Sequence, residues 1–279
     1  MAESYSDVVQ TARDYYNSDD ADNFYFHIWG GEDIHIGLYE SPTEDIAVAS
    51  RRTVETMADR LPALSPGSRV LDLGSGYGGA ARYIAKRFGC QVTALNLSEK
   101  ENERNRQMCA EAGLEHQVDV VDGSFEDIPL ADASVDVVWS QDAILHSGRR
   151  QQVISEAARV LKSGGHLVFT DPMESGTCSR KDLEPVLARI HLETLGSFGF
   201  YEETCSKLGL TRIDRVDMTE QLITHYSRVA DELANQRDSL NGKVSEGYID
   251  KMLAGLENWV VAGKKGCLAW GILHFQKQS

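Results

Sequence analysis

One short segment, residues 69–79 with the sequence RVLDLGSGYGG, constrains the fold of this chain more than any other. Its apolar first half, Arg69–Leu73, predicts a short buried strand, and a helix is predicted over Gly79–Phe88. A glycine-rich turn lies between them, and glycine lets the backbone turn sharply and a ligand approach it closely. The segment therefore predicts a strand, a ligand-binding loop and a helix in immediate succession, which favours an α/β fold.

Strand-like and helix-like segments alternate after this loop. The predicted strands are Gln91–Asn96, Gln117–Asp122, Val135–Ser140 and His166–Asp171. The predicted helices are Ser98–Ala112, capped by Ser98, and Gln151–Leu161, which ends near Ser163-Gly164-Gly165. This alternation is typical of βαβ units, so we predict a mostly parallel central sheet with flanking helices.

Two regions depart from this alternation. The first 65 residues are rich in aromatic residues and predict helices, whereas residues 66–175 form the predicted core. The remaining part of the same domain, 176–279, carries two helix-like segments at about 219–263, between the strand-like runs Leu210–Asp217 and Cys267–Phe275. We predict that this helical insertion precedes the last strand and lies above the carboxyl edge of the sheet, where open α/β sheets place their pockets.

The charge balance narrows the class of partner. The chain has 279 residues, with 28 Lys and Arg against 43 Asp and Glu, and a formal net charge of −15. Such a surface repels phosphate backbones and anionic membranes, so we expect neither nucleic-acid nor membrane binding. The acidity fits either an ordinary acidic protein or one adapted to a high-salt cytoplasm.

The beginning of the chain and its cysteines indicate a compartment. The first ten residues, MAESYSDVVQ, lack the basic and apolar regions of a signal peptide, and no run of about 18 apolar residues occurs. The five cysteines are widely spaced, odd in number and without a CxxC motif. We therefore predict a cytoplasmic protein with reduced thiols, and neither a disulfide framework nor a metal site.

Polar and aromatic residues follow the ends of the predicted strands. Asn96 ends the second strand and can exchange a hydrogen bond with a ribose hydroxyl. Phe125 follows the third strand, where stacking on a base and packing in the core are equally good explanations. Asp142 and His146 follow the fourth strand at i, i+4 spacing. On a helical turn, Asp142 would hold the imidazole of His146 in one tautomer and raise its basicity.

The ordered motifs VLDLGSGYGG, ALNLS, DGSFEDIP, VDVVWSQDAILH and LKSGGHLVF resemble those of the class I S-adenosylmethionine-dependent methyltransferases, over about residues 65–175. The resemblance implies a Rossmann-like fold with a seven-stranded sheet, and S-adenosylmethionine as cofactor with S-adenosylhomocysteine as product. The cofactor contacts that it implies are Asp72, Gly74, Ser75, Gly76, Asn96, Leu97, Ser124, Phe125, Gln141, Ile36 and Gly37. In that family an acid commonly stands where this chain has Asn96 or Ser124.

The aromatic N-terminal run, residues 14–39, narrows the resemblance. Together with the segment QDAILHS it resembles the sarcosine/dimethylglycine N-methyltransferases, which make the osmolyte glycine betaine. The same features are similar to phosphoethanolamine methyltransferases, in which a lid tyrosine and a histidine form a latch. The resemblance implies an N-terminal helical lid whose latch pairs His146 with Tyr16 or Tyr25, and betaine synthesis in turn favours the high-salt explanation of the charge.

The chemistry of N-methylation suggests further residues. The amine must lose its proton, to solvent or to a base such as His146. The methylated product is a cation, which the rings of Tyr25 and Trp29 would attract. A substrate carboxylate needs a cationic donor, for which Arg180, Lys181 and Arg189 are candidates.

Other functions stay open at the level of sequence. A small-molecule O- or C-methyltransferase acting on a sugar, a phenol or a phosphoethanolamine-like substrate would use the same cofactor loop. A cofactor-binding protein without activity is a third possibility. The sequence predicts a small-molecule amine as partner and leaves monomer and homodimer undecided.

Overall fold

The computed structural model describes residues 7–190 and 192–278, and a seven-stranded sheet lies at its centre. The strands are β1 Arg69–Leu73, β2 Gln91–Asn96, β3 Val118–Asp122, β4 Val135–Gln141, β5 Leu161–Thr170, β6 Met173–Glu174, β7 Leu210–Asp217, β8 Leu268–Ala269 and β9 Gly271–Lys277. The sheet order is β3-β2-β1-β4-β5-β9-β7, and β6 and β8 form a separate antiparallel pair. In the large sheet of the described chain, β9 runs opposite to the other six strands, which are parallel to one another, so the predicted mostly parallel α/β fold is confirmed.

Helices flank the sheet and cover its carboxyl edge. They are α1 Asp7–Tyr16, α2 Asp19–Phe24, α3 Ile46–Ala58, α4 Gly79–Phe88, α5 Glu99–Glu111, α6 Arg150–Val160, α7 Arg180–Arg189, α8 Phe198–Lys207, α9 Thr219–Asn235 and α10 Glu246–Lys264. A π-helical turn, Tyr25–Trp29, follows α2, and a 3₁₀ turn, Ile144–His146, follows β4. No helix among the described residues combines the length and the apolar character that crossing a membrane requires.

Parallel pairing brings the ends of β1 to β5 to one edge of the sheet. At this edge Asn96 lies opposite Asp122 and Gln141 lies opposite Thr170, while the glycine-rich loop follows Leu73 directly. The polar residues that end these strands are therefore neighbours in space, although they are far apart in sequence.

A separate apolar cluster lies beyond this edge. It joins the N-terminal helices to α7, α9 and α10 through large aromatic side chains, among them Phe24, Trp29, Tyr226, Trp259 and Trp270. The helices α9 and α10 form the predicted insertion between β7 and β9. The insertion and the N-terminal helices thus bury their apolar faces against each other rather than against the sheet.

Most predicted element bounds agree with the structure, and β5 is an exception. The helix α6 ends at Val160, and β5 begins at Leu161 instead of His166. Leu161 already pairs with Val135, and a shift in register before His166 accommodates the Ser163-Gly164-Gly165 segment. The glycines therefore belong to an irregular strand and not to the end of a helix.

The prediction of reduced thiols is wrong for two of the five cysteines. Cys178 and Cys267 form a disulfide between residues 89 positions apart, whereas Cys90, Cys109 and Cys205 are free and buried. The fold brings together the segment before α7 and the segment before β8. Cysteine spacing along the chain holds no information about such a contact.

Candidate active site

A cavity opens at the carboxyl ends of β1, β2 and β4, next to the glycine-rich loop, and we call it the glycine-loop cavity. Nine of the predicted cofactor residues line it: Asp72, Gly74, Ser75, Gly76, Asn96, Leu97, Ser124, Phe125 and Gln141. Gly74 has a φ of +71°, and a Cβ atom there would lie 2.4 Å from the Cβ of Ala143. Any side chain at this position would therefore strain the backbone and collide with Ala143.

Several buried polar atoms of this cavity have no partner within the described chain. They include Asp72 Oδ2, Ser75 Oγ and Gln141 Nε2. Buried polar groups in native proteins are nearly always hydrogen-bonded, so these atoms indicate a polar ligand. An amino-acid group joined to a nucleoside offers both donors and acceptors to such a set, and the residues present fit S-adenosylmethionine.

Two buried carboxyl groups lie at one end of the glycine-loop cavity. Burial, together with the nearby Asp33, raises the pKa of Asp72 to about 7. Burial also raises the pKa of Asp33 to about 6, although the guanidinium of Arg51 lies 2.8 Å from its carboxylate. Burial disfavours the negatively charged forms of these carboxyls, and a ligand ammonium group beside them would stabilise those forms.

Asn96 has a carboxyl partner that the sequence did not reveal. Its Nδ2 donates a hydrogen bond of 2.8 Å to Glu101 Oε2, and burial raises the pKa of Glu101 to about 7. Both residues line the cavity, so a carboxyl group from outside β2 lies beside the end of that strand. Glu101 stands in the first turn of the polar helix α5, where an acid usually faces solvent, and the sequence offers no signal for its burial.

A second cavity, the aromatic cavity, lies between the N-terminal helices and the insertion. Seven tyrosine and tryptophan side chains line it, together with Arg189: Tyr15, Tyr16, Tyr25, Trp29, Tyr226, Tyr248 and Trp259. The two cavities share six lining residues: Ala12, Tyr16, Ile34, His35, Asp142 and His146. A group bound in one cavity can therefore meet a group bound in the other at this junction.

Tyr16 and His146 are in direct contact at the junction. The hydroxyl of Tyr16 lies 2.9 Å from Nε2 of His146, and the two rings pack edge to face. Burial, together with the charge of Arg189, lowers the pKa of His146 to about 4, so the imidazole is neutral near pH 7. Of the two tyrosines named from sequence, Tyr16 is the one that touches this histidine.

The expected contact between Asp142 and His146 is absent, and that prediction is wrong. The carboxylate of Asp142 instead accepts hydrogen bonds of 2.7 Å from the backbone N–H of Ile36 and from Nε1 of Trp270. Asp142 has a φ of +51°, in the left-handed region, and the 3₁₀ turn begins only at Ile144. Without a continuous helical turn, the i, i+4 geometry does not form, and Asp142 fixes the loop before α3 instead.

His35 also lies at the junction. Its Nδ1 donates to the carbonyl oxygen of Ile36 at 3.3 Å, so its other ring nitrogen carries the lone pair. That nitrogen, Nε2, is buried and has no hydrogen-bond partner within the described chain. Burial lowers the pKa of His35 to about 4, so this imidazole is neutral as well.

The structure separates the remaining candidates. Arg189 lines the aromatic cavity, whereas Arg180 is exposed at the start of α7 and donates to the backbone carbonyl of Glu193. Ile36 lines the aromatic cavity and not the glycine-loop cavity. Gly37 lines neither, because it packs so closely on α3 that a Cβ would lie 2.7 Å from the Cβ of Ala49.

Known proteins resemble both the core and the whole chain. A methyltransferase domain model matches residues 71–169. A sarcosine/dimethylglycine N-methyltransferase from Halorhodospira halochloris is 55% identical, and the match covers 99% of this chain and 100% of that protein. A glycine/sarcosine/dimethylglycine N-methyltransferase from Actinopolyspora halophila is also 55% identical over 98% of this chain, which spans about half (48%) of that longer protein.

A solved structure agrees with the fold. The crystal structure of a candidate sarcosine dimethylglycine methyltransferase from Galdieria sulphuraria is 41% identical, with a TM-score of 0.90 over 95% of this chain and 99% of that chain. The fold and the glycine-loop cavity define a class I methyltransferase. Within that class, the chain belongs to the sarcosine/dimethylglycine N-methyltransferase family.

Proposed function

We propose that this protein transfers methyl groups from S-adenosylmethionine to sarcosine and dimethylglycine and so produces glycine betaine. The observation that carries the proposal is the junction of two cavities, one beside the glycine-rich loop and one lined by aromatic rings and Arg189. S-adenosylmethionine supplies an electrophilic methyl group on a positively charged sulfur. The protein must then align a nitrogen lone pair with that group and exclude water.

The residues of the glycine-loop cavity fit the parts of the cofactor. Asp72 and Asp33 would hold its ammonium group. Asp72 Oδ2 and Asp33 Oδ1 are buried without a hydrogen-bond donor among the described residues and so are free to accept from it. Asn96 and Glu101 would bind the ribose hydroxyls, and the ring of Phe125 would pack against the adenine.

The aromatic cavity suits the amine end of the substrate. Each methyl transfer gives a cation, and tyrosine and tryptophan rings attract such a cation when water is excluded. Burial raises the pKa values of Tyr16 and Tyr25 well above that of free tyrosine, so both rings remain neutral phenols. Arg189, which has no carboxylate within ion-pair distance among the described residues, would bind the carboxylate of the substrate.

The two histidines at the junction are poor candidates for removing a proton from an ammonium group. Each has a pKa of about 4, far below that of an alkylammonium, so proton transfer to either is strongly unfavourable. We infer that the amine reaches the site after losing its proton to solvent. His146 then acts through its hydrogen bond to Tyr16, which holds α1 over the junction, and His35 accepts the remaining N–H of sarcosine.

Product analysis tests the proposed function. Purified protein is incubated with S-adenosylmethionine and separately with glycine, sarcosine, dimethylglycine and several phenols, at several salt concentrations. We expect mass spectrometry to detect glycine betaine from sarcosine and from dimethylglycine, with activity retained at high salt. Methylation of a phenol but of neither glycine derivative would contradict the proposal, and collapse of activity above modest salt would contradict salt adaptation.

A further inference from the structure

Two tryptophans of the aromatic cavity have indole N–H groups without a partner. Trp29 is 6% exposed and Trp259 is 1% exposed, and the Nε1 atom of each is buried without a hydrogen-bond acceptor within the described chain. The other two tryptophans differ, since Trp139 donates to Gln141 Oε1 at 3.0 Å and Trp270 donates to Asp142 Oδ1 at 2.7 Å. A buried N–H without an acceptor is costly, which indicates that a ligand supplies one.

The two indoles belong to one wall of the cavity. Tyr226 lies between them, with Trp29 packed edge-on at 5.7 Å between ring centroids and Trp259 stacked at 4.8 Å. Trp29 comes from the π-helical turn and Trp259 from α10, so the N-terminal helices and the insertion each contribute one donor. An acceptor in the cavity that satisfies both must have at least two lone pairs, as a carboxylate has.

The side chain of Arg189 reaches the same cavity by passing directly over a glycine of α10, Gly255. A Cβ atom at Gly255 would lie 2.5 Å from Cδ and 2.6 Å from Nε of Arg189. A glycine inside a helix lowers helix stability, so the close passage of the arginine explains its presence here. Within the described residues, the only hydrogen-bond acceptor of Arg189 is Met252 Sδ, at 3.4 Å.

We propose that the indole N–H groups of Trp29 and Trp259 complete a carboxylate subsite with Arg189, and that this subsite selects amino acids over amino alcohols. The proposal deepens the proposed function, because it takes the substrate to be an amino acid. A carboxylate satisfies both N–H groups and the guanidinium at once. A hydroxyl in its place has no negative charge and fewer lone pairs, so it leaves donors of the subsite unpaired.

The test compares two ligands that have the same cation and differ at the other end. Glycine betaine has a trimethylammonium group and a carboxylate, whereas choline has a trimethylammonium group and a hydroxyl. Calorimetry on protein saturated with S-adenosylhomocysteine gives the Kd of each. We expect Trp259→Phe and Trp29→Phe each to weaken betaine binding about tenfold more than choline binding, because phenylalanine keeps an aromatic face for the cation and lacks the indole N–H.

A matched pair of glycine variants on α10 tests the placement of Arg189. Gly255→Ala pushes against the arginine stem, whereas Gly247→Ala adds a methyl group where no atom lies within 4 Å. We expect Gly255→Ala to weaken betaine binding at least tenfold, with Gly247→Ala close to the unmodified protein and the Kd for S-adenosylhomocysteine the same in both. Thermal unfolding of every variant verifies that it is folded.

The outcomes separate this proposal from the proposed function. Unchanged betaine binding in both tryptophan variants, or equal losses for betaine and choline, would overturn the carboxylate subsite. Failure of the unmodified protein to methylate dimethylglycine would instead contradict the proposed function. Because the binding measurement does not depend on turnover, it still reports on the subsite in that case.

Discussion

The two cavities are built in different ways. The glycine-loop cavity is formed mainly by short motifs that end the parallel strands, between Asp72 and Ser147. The aromatic cavity is formed by side chains from α1, the π-helical turn, α7, α9 and α10, which span residues 8–259. The proposed cofactor half of the site therefore depends on local backbone geometry, whereas the proposed substrate half depends on long-range packing of helices.

If the two cavities are built in these different ways, a change in the glycine-rich loop should have the largest effect on binding, and it should weaken the binding of the cofactor alone. Gly74→Ala places a Cβ 2.4 Å from Ala143 and enforces a positive φ on a residue with a side chain. We expect the affinity for S-adenosylhomocysteine to fall at least 100-fold, measured by calorimetry. Gly67→Ala, in the loop before β1 where only Ser65 lies within 4 Å, is the matched control and should bind normally.

A change at Arg189, in the aromatic cavity, should weaken the binding of the methyl acceptor. Removing one partner of a buried charge pair costs about 2–5 kcal/mol, so Arg189→Gln should raise the KM for dimethylglycine by roughly 30-fold or more. The Kd for S-adenosylhomocysteine should stay the same, because Arg189 does not line the glycine-loop cavity. Arg180→Gln is the control, and an equal loss in that variant would contradict the assignment.

The junction should respond in turnover rather than in affinity. Tyr16→Phe and His146→Ala each remove the hydrogen bond of 2.9 Å between α1 and the 3₁₀ turn. We expect each variant to lower kcat at least tenfold, with cofactor affinity largely kept, as steady-state kinetics and calorimetry will measure. Normal turnover in both variants would show that the contact has a structural role only. Tyr83→Phe serves as the control, because it removes a tyrosine hydroxyl that accepts from Arg87 on α4, away from the junction.

The smallest effect concerns the pH dependence of cofactor binding. The pKa of Asp72 is about 7 in the free protein, and an ammonium group beside it lowers that value, so binding releases protons. Affinity should therefore be highest above pH 7 and fall as the pH drops through 7 toward 6, where Asp33 also takes up a proton. Calorimetry from pH 5.5 to 8.5 checks this, and Asp72→Asn should make the profile shallower, with the titration of Asp33 and Glu101 remaining. An affinity that rises on acidification would contradict the prediction.

The same contrast explains how much the sequence could predict. The strands β1 and β2 and the helix α4 have the bounds predicted from apolar runs, glycines and capping residues, because these signals are local. For the same reason, nine of the eleven predicted cofactor residues line the glycine-loop cavity.

Features that depend on distant contacts escaped prediction. Asp142 has a left-handed backbone conformation, and its carboxylate binds Ile36 and Trp270. The i, i+4 spacing to His146 gives no sign of these contacts. In the sequence, Trp259 is one of several apolar residues of an amphipathic helix. Its place in the aromatic cavity depends on the packing of α10 against the N-terminal helices. The disulfide between Cys178 and Cys267 depends on the same kind of contact.

The most direct test of the meeting of the two cavities is a crystal structure of the protein with S-adenosylhomocysteine and glycine betaine. We expect the sulfur of the first ligand and the trimethylammonium group of the second to face each other beside Tyr16 and His146. The betaine carboxylate should then lie at Arg189 and the indole N–H groups of Trp29 and Trp259. A structure in which betaine binds outside the aromatic cavity, or with its carboxylate toward the sulfur, would contradict the account.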